Sequence, residues 1–145
     1  MSAESCPLPS RSPGAESSAV DRMLQAKRIA IVGMSDDPSR ASHGIGGYLR
    51  ANGYEVIPVN PNHEVVLGLK CYARLADVPG EIDLVNVFRR PEFCADVTRE
   101  AIEAGAKGVW LQAGIRNEKA QALAAEAGVD FVQDRCIMVE HMQRR

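Results

Sequence analysis

Short apolar runs alternate with stretches of helical spacing along most of the chain, and that alternation predicts the architecture before any single residue is considered. Residues 27–35 open on Lys27-Arg28, continue through Ile29-Ala30-Ile31-Val32 and close on Gly33-Met34-Ser35. A continuous apolar run bounded by charge on one side and glycine on the other reads as a buried strand that turns into a helix. Further strands are predicted at 54–59, 68–72, 82–88, 107–112 and 129–132. Pro58 is expected to mark where ladder pairing stops and the loop Asn60-Pro61-Asn62-His63 begins, because proline has no N–H to offer a sheet.

Helices are predicted between the strands. Residues 18–26 place Val20, Met23 and Leu24 at i, i+3 and i+4, with Ser17 or Ser18 as cap, giving a short lead-in helix on the edge of the sheet. Residues 42–52 form the next helix and stop at Gly53. It carries Gly44, Gly46 and Gly47, each of which weakens a helix by about 1 kcal/mol relative to alanine. Either close packing on the sheet or a backbone pressed against a ligand must favour them. A helical turn at 75–78 precedes Pro79-Gly80, and Pro91 suits the first turn of a helix whose buried face is Phe93, Val97, Ala101 and Ile102. Residues 117–127 turn Ala120, Leu123, Ala124 and Ala127 inward, and a last helix from about Asp134 turns in Ile137, Met138 and Met142. Strands alternating with helices of about 10–15 residues imply a doubly wound α/β fold around a mostly parallel sheet.

The first 17 residues break the pattern. Rich in Pro, Gly and Ser with Leu8 as their one leucine, they hold too little apolar surface to offset the entropy of ordering and are expected to form a disordered tail ahead of one domain over 18–145. A chain of 145 residues buries roughly 68–70% of its unfolded surface on folding, enough for one real core. With 46% apolar and 25% charged residues and a net charge of −2, nothing points to a nucleic-acid surface. No apolar run is long enough to span a membrane and no signal-peptide layout opens the chain, so a cytoplasmic protein is expected. The four cysteines, Cys6, Cys71, Cys94 and Cys136, lie far apart without C-x-x-C or histidine at metal spacing, which indicates neither a metal site nor a disulfide framework.

In an open parallel sheet the ligand lies beyond the carboxyl ends of the strands, where strand order reverses. That directs attention to residues 33–42, 60–63, 88–90 and 112–116. A dinucleotide site of the NAD type wants G-x-G-x-x-G in the first turn and an acidic residue after strand two; the chain has Gly33-Met34-Ser35-Asp36-Asp37-Pro38 and Val59-Asn60-Pro61 instead. The G-x-x-x-x-G-K-[ST] pattern of triphosphate hydrolysis is absent too. What remains is a phosphate-accepting turn with hydroxyls at Ser35, Ser39 and Ser42 and a guanidinium at Arg40, suited to an anion that is held and not cleaved. Arg89 and Arg90 stand at a strand end facing this site; alternation turns only one of them inward, and Arg89 is the one expected. Lys70 and His63 are within reach of a further phosphate but are of the type more often simply exposed, and Trp110 reads as core. Cys136 has the choice between an activated thiol at a helix start and an inert buried one. His141 lies five positions from Cys136, off its helical face, so no catalytic set is assigned with Glu140.

Six segments in order carry a resemblance: Ile31-Val32-Gly33-Met34-Ser35, Pro38-Ser39-Arg40-Ala41-Ser42, Pro58-Val59-Asn60-Pro61, Val87-Phe88-Arg89-Arg90-Pro91-Glu92, Trp110-Leu111-Gln112-Ala113-Gly114-Ile115-Arg116 and Asp134-Arg135-Cys136. Together they resemble the small bacterial CoA-binding proteins, a family similar to the CoA-binding domain of the succinyl-CoA synthetase α subunit. The resemblance runs from about residue 20 to 142 and implies a Rossmann-like domain with coenzyme A as its ligand. On this chain it implies that Gly33, Met34, Ser35, Arg40 and Ser42 hold the pyrophosphate or 3′-phosphate. Val59, Asn60 and Pro61 would border the adenosine, Phe88 and Arg89 would form another wall, and Gln112, Ala113, Gly114 and Ile115 would line the pantetheine path.

A CoA- or acyl-CoA-binding module without catalysis of its own is the function so implied. One alternative is a subunit or relic of an acyl-CoA synthetase-type enzyme; ligation there also needs a phosphohistidine-bearing domain and a nucleotide-binding domain, so a partner chain would be required. Another is a nucleotide- or NADH-responsive regulator, disfavoured by the missing ribose carboxylate. A homodimer or a separate protein partner is left open. Should Cys136 lie near the tip of bound CoA, oxidation would join the two thiols in a mixed disulfide.

Overall fold

The structure is a computed structural model that describes residues 13–144. Helix α1 (Pro13–Met23) leads into β1 (Arg28–Val32), α2 (Ala41–Ala51) and β2 (Glu55–Val59). A small excursion follows, made of β3 (Val65–Val66), β4 (Leu69–Lys70) and a 3-10 turn at Leu75–Asp77. The chain then runs through β5 (Leu84–Val87), a 3-10 turn at Pro91–Phe93, α3 (Cys94–Glu103), β6 (Gly108–Leu111), α4 (Glu118–Ala127), β7 (Asp130–Val132) and α5 (Ile137–Arg144). Among the described residues, the five longer strands make one parallel sheet in the order β2-β1-β5-β6-β7. The doubly wound α/β fold is as expected.

Alternation along each strand splits the core in two. Ile29 and Ile31 face the layer that holds Val20, Met23, Ile45, Leu49 and Ile137 from α1, α2 and α5, while Ala30 and Val32 face the layer of Val97, Ala101, Ala120 and Ala124 from α3 and α4. Both faces are covered, which is why the strands read as unbroken apolar runs. Trp110 is fully buried in the first layer, its indole N–H donating to the Arg135 carbonyl at 2.8 Å.

Several expectations change. The lead-in helix starts at Pro13, so Ser17 and Ser18 lie inside it and are exposed rather than capping it; the rest of the expected tail, residues 1–12, lies outside the described residues. The ladder does not fail at Pro58, which pairs with Ile31. β2 is an edge strand whose odd residues bond β1, as Glu55 N–H to Lys27 and Gly33 N–H to Val59 show, so the missing N–H of Pro58 faces outward. Residues 68–72 do not join the parallel sheet. Leu69 and Lys70 pair antiparallel with β3, and Tyr72 covers the open edge of β2 as an isolated bridge, through its N–H to Pro58 (3.0 Å) and its carbonyl to the Asn60 N–H (2.8 Å). The turn at Pro91–Phe93 rotates Phe93 off the helix face and leaves it 41% exposed, and Ile102, Leu123 and Met138 are only partly buried. Ala127 and Met142 are exposed. Asp134 cannot begin a helix because its φ is +58°, so α5 starts three residues later at Ile137.

Candidate functional site

Strand order reverses between β1 and β5, since the chain leaves β1 for β2 on one side and returns to β5 on the other. At this switch Gly33 carries φ +84°, and a Cβ there would lie 2.4 Å from the Phe88 carbonyl oxygen. The close approach that glycine permits is therefore to the chain itself. Its N–H is spent on the Val59 carbonyl, and Phe88 N–H donates to Val32, so the ends of β2, β1 and β5 are sewn together beneath the turn.

The following loop organises itself with its own side chains. Ser42 Oγ, buried on the first turn of α2, accepts the Ser35 N–H at 2.9 Å; Ser35 Oγ accepts the Asp37 N–H at 3.0 Å. Each hydroxyl keeps its proton for another acceptor. Ser39 donates its N–H and hydroxyl to Asp37, and those two bonds hold the Asp37 carboxyl below its ordinary range. Arg40 is the N-cap residue of α2, exposed and in an extended conformation. No side chain caps α2, no acidic residue sits in its first turn, and among the described residues the Ala41 and Ser42 amides have no acceptor. The positive end of the helix dipole and two free N–H groups thus open onto the crevice beside Arg40.

Gly46 owes its place to packing, since a Cβ would meet Met34 Cε at 2.3 Å, whereas Gly44 and Gly47 face open space. The same contact shows that the Met34 side chain is core, so the expected contact of Met34 with a ligand is not one of its side chain. Val59 is buried likewise. Asn60 fastens loops: Nδ2 donates to the Met34 carbonyl at 3.0 Å, Oδ1 accepts the Asn62 N–H at 2.9 Å, and its carbonyl faces Cys71 Sγ at 3.5 Å. Burial pushes the Cys71 thiol up against that hydrogen bond. Pro61 is exposed at the rim.

On the α3 side a cavity of about 210 Å³ opens between the ends of β1 and β2, floored by Val32, Gly33 and Val59 and edged by Pro61, Arg74 and Arg89. Phe88 turns to the opposite layer, and Arg89 lies over the Phe93 ring at 4.8 Å. Arg90 does not line that cavity, and its guanidinium is 79% exposed and 4.0 Å from Glu92. Beneath this turn the buried Cys94 thiol faces the Arg89 and Arg90 carbonyls at 3.8 and 3.5 Å, and burial pushes it up to about 11. Lys70 lies over the Tyr72 ring at 5.1 Å, and His63 sits 3.5 Å from Asp36.

Gln112 is not free to line a path with its side chain: it is buried and donates Nε2 to Asn86 Oδ1 at 2.7 Å. Gly114 (φ +84°) and Ile115 belong to a loop that Asp134 braces, accepting the Gly114 N–H at 2.7 Å and donating its own N–H to the Ile115 carbonyl. Cys136, partly buried, lines a separate 490 Å³ hollow with Arg135 and Val139. Glu140 is engaged by Arg135 and Arg144, and His141 Nδ1 lies 2.7 Å from Tyr48 Oη, so Glu140 and His141 serve helix packing. Sequence reasoning missed Arg74 and Asn86, neither of which sits in a motif with a chemical signature, and read Asp134 as a helix start where it braces a loop. Among the described residues no group of His, Cys, Asp and Glu is placed to hold a metal, and no helix is long and apolar enough to cross a membrane.

A cavity of about 600 Å³ lies at the other end of the sheet, along the amino ends of the strands. Six of its charges pair, Arg22 with Asp130, Arg28 with Glu55 and Lys107 with Asp83, whereas among the described residues Arg74 and Arg89 at the carboxyl ends form no ion pair. A parallel sheet with helices on both faces, whose strand order reverses under a glycine turn beside an uncapped helix, is a Rossmann-like α/β domain.

The chain belongs to the CoA binding domain family, whose pattern matches residues 27–142. It is 44% identical over 119 residues to the uncharacterized protein YneT of Bacillus subtilis, covering 82% of this chain and 88% of that one. It is 29% identical to the α subunit of an ADP-forming acetate–CoA ligase of Pyrococcus furiosus, of which it spans only 28%. A hypothetical protein from Pyrococcus horikoshii superposes with a TM-score of 0.84 at 40% identity, covering 88% of this chain and 90% of that one. The dinucleotide-forming acetyl-coenzyme A synthetase 1 of Ca. Korarchaeum cryptofilum gives 0.70 at 26% identity, matching 79% of this chain and 27% of that one.

Proposed function

We propose that the chain binds coenzyme A or an acyl-CoA across the carboxyl ends of β2, β1 and β5, as a module with no chemistry of its own. The observation that carries this reading is the uncapped start of α2, with the Ala41 and Ser42 amides, the Ser35 and Ser42 hydroxyls and Arg40 on one loop where strand order reverses. That donor set fits a diphosphate: planar guanidinium, free amides and a helix dipole all favour negative charge. Gly33 and Asn60 hold the three loops in register and so act on the ligand by position. Adenosine borders Val59, Pro61 and Arg89, and the pantetheine arm runs toward Gln112, Gly114 and Ile115, where the backbone and not the Gln112 amide meets it.

A second reading is a subunit of an ADP-forming acyl-CoA ligase that works with a partner chain. Its support is the match to 28% of a ligase subunit. Native mass spectrometry of the purified protein, followed by thermal shift with CoA, dephospho-CoA and NADH, tests the first reading. A ligand that binds only the folded state at about 100 times its Kd adds about 2.7 kcal/mol, so CoA must raise the melting temperature beyond NADH. Equal shifts with both would overturn it.

A further inference from the structure

The cavity above Gly33 holds chemistry that the diphosphate does not use. At about 210 Å³ it is smaller than the roughly 300–1,000 Å³ of a pocket for a whole ligand, so it takes one moiety. Val32, Val59, Leu75 and Val97 make its walls apolar, as a nucleobase face requires, and Arg74 and Arg89 stand at its edge. Neither arginine has a carboxylate partner within ion-pairing distance among the described residues; Glu100 on α3 is the acidic residue lining the cavity and pairs with neither. Arg89 is held over the Phe93 ring, which fixes the guanidinium plane and leaves its N–H edge for an anion. Arg74 is exposed, in extended backbone just before the turn at Leu75–Asp77. The other cations nearby are engaged, Lys70 over Tyr72 and His63 against Asp36.

We infer that Arg74 and Arg89 together read a phosphate monoester on the ribose of the bound nucleotide, so that the chain distinguishes CoA from dephospho-CoA. The inference rests on the CoA reading above and assigns its 3′-phosphate to a pair in which Arg74 is new. Two phosphate subsites follow, one on each face of the sheet: the diphosphate at the start of α2, the monoester at the α3-side cavity.

Calorimetric titration of wild type, Arg74→Ala and Arg74→Lys with CoA, dephospho-CoA, adenosine 3′,5′-bisphosphate and AMP tests this. Arg74 is exposed, so its variants keep the fold. Charge-assisted contacts predict that wild type prefers CoA over dephospho-CoA by roughly 10–100-fold and that Arg74→Ala removes about tenfold of that ratio by weakening CoA alone. Arg74→Lys restores part of it, since lysine keeps the charge without the fork. Equal wild-type affinity for CoA and dephospho-CoA overturns this inference and leaves CoA binding standing, as does an Arg74→Ala variant that weakens both ligands alike. Preference for the bisphosphate over AMP without CoA binding supports the arginine pair and overturns the CoA reading. Binding of none of the four overturns both.

Discussion

Replacing Gly33 by alanine perturbs the switch point itself. The backbone there has φ +84°, and the added Cβ would sit 2.4 Å from the Phe88 carbonyl oxygen, 3.1 Å from its carbon and 3.2 Å from Arg89 Cδ. A left-handed conformation costs an L-residue about 1–2 kcal/mol. The clash is with backbone, and Phe88 is tied to Val32 by a 2.9 Å hydrogen bond, so relief means parting β1 from β5; overpacking of this kind costs about 1–3 kcal/mol. The sum is about 2–5 kcal/mol. At roughly 2–4 °C per kcal/mol for a domain near this size, the melting temperature should fall by about 4–20 °C. Gly44→Ala is the control, since nothing lies within 4 Å of a Cβ there and alanine favours a helix by about 1 kcal/mol. Circular dichroism melts read both. A Gly33→Ala protein that melts with wild type, or a Gly44→Ala protein that loses as much as Gly33→Ala, would refute the reasoning.

Asp83 accepts the backbone N–H groups of Arg28 and Lys27, both at 3.0 Å, and those bonds, the Arg28 one foremost, hold its carboxyl below the ordinary 3.8 against the opposing effect of burial. A lowered folded value means stability that is present above the ordinary value and lost as pH falls through the folded one. Asp83→Asn should therefore cost about 1–3 kcal/mol at pH 7 by urea denaturation and progressively less toward pH 3; a gap constant across that range would contradict the assignment. Asn117 caps α4 through Oδ1 to the Ala120 N–H at 2.8 Å and ties it to the Pro91 carbonyl through Nδ2 at 2.7 Å. Asn117→Ala should lower stability by about 1 kcal/mol or more, and an unchanged urea midpoint would refute the cap. The Cys94 thiol, buried and pushed up to about 11, should resist iodoacetamide at pH 8 in the folded protein and react once it is unfolded; peptide mapping that finds Cys94 alkylated under native conditions would show that the turn opens.

Most of the fold was legible because apolar runs buried on both faces announce themselves. Ile29-Ala30-Ile31-Val32 and Leu84-Val85-Asn86-Val87 needed no tertiary information. Pro58 misled because whether a missing N–H matters depends on which side of an edge strand it faces, and sequence does not show which strand is the edge. Asp134 misled because a helix start and a left-handed turn favour the same side chain. Gly33 ends β1 where the sequence put it, but the sequence did not show that a Cβ there would run into the Phe88 carbonyl. The loops at the carboxyl ends of β1 and β2 were legible from Gly-x-Ser and Asn-Pro, yet the packing of their side chains was not. Met34 and Gln112 belong to the interior, Asn60 fastens loops, and Arg74 lines the cavity above Gly33 only because the β3–β4 excursion brings residue 74 to the end of β1.

Calorimetric titration of CoA into wild type and Arg40→Ala tests the central claim most directly. Arg40 is exposed at the start of α2 and makes no side-chain cap, so its removal leaves the fold while taking one charged contact from the diphosphate, a loss of roughly 10–100-fold in affinity. Saturable binding to wild type that weakens by that factor in Arg40→Ala, with both proteins melting alike, is the predicted result. No heat of binding to wild type, together with no thermal protection by CoA, would contradict it.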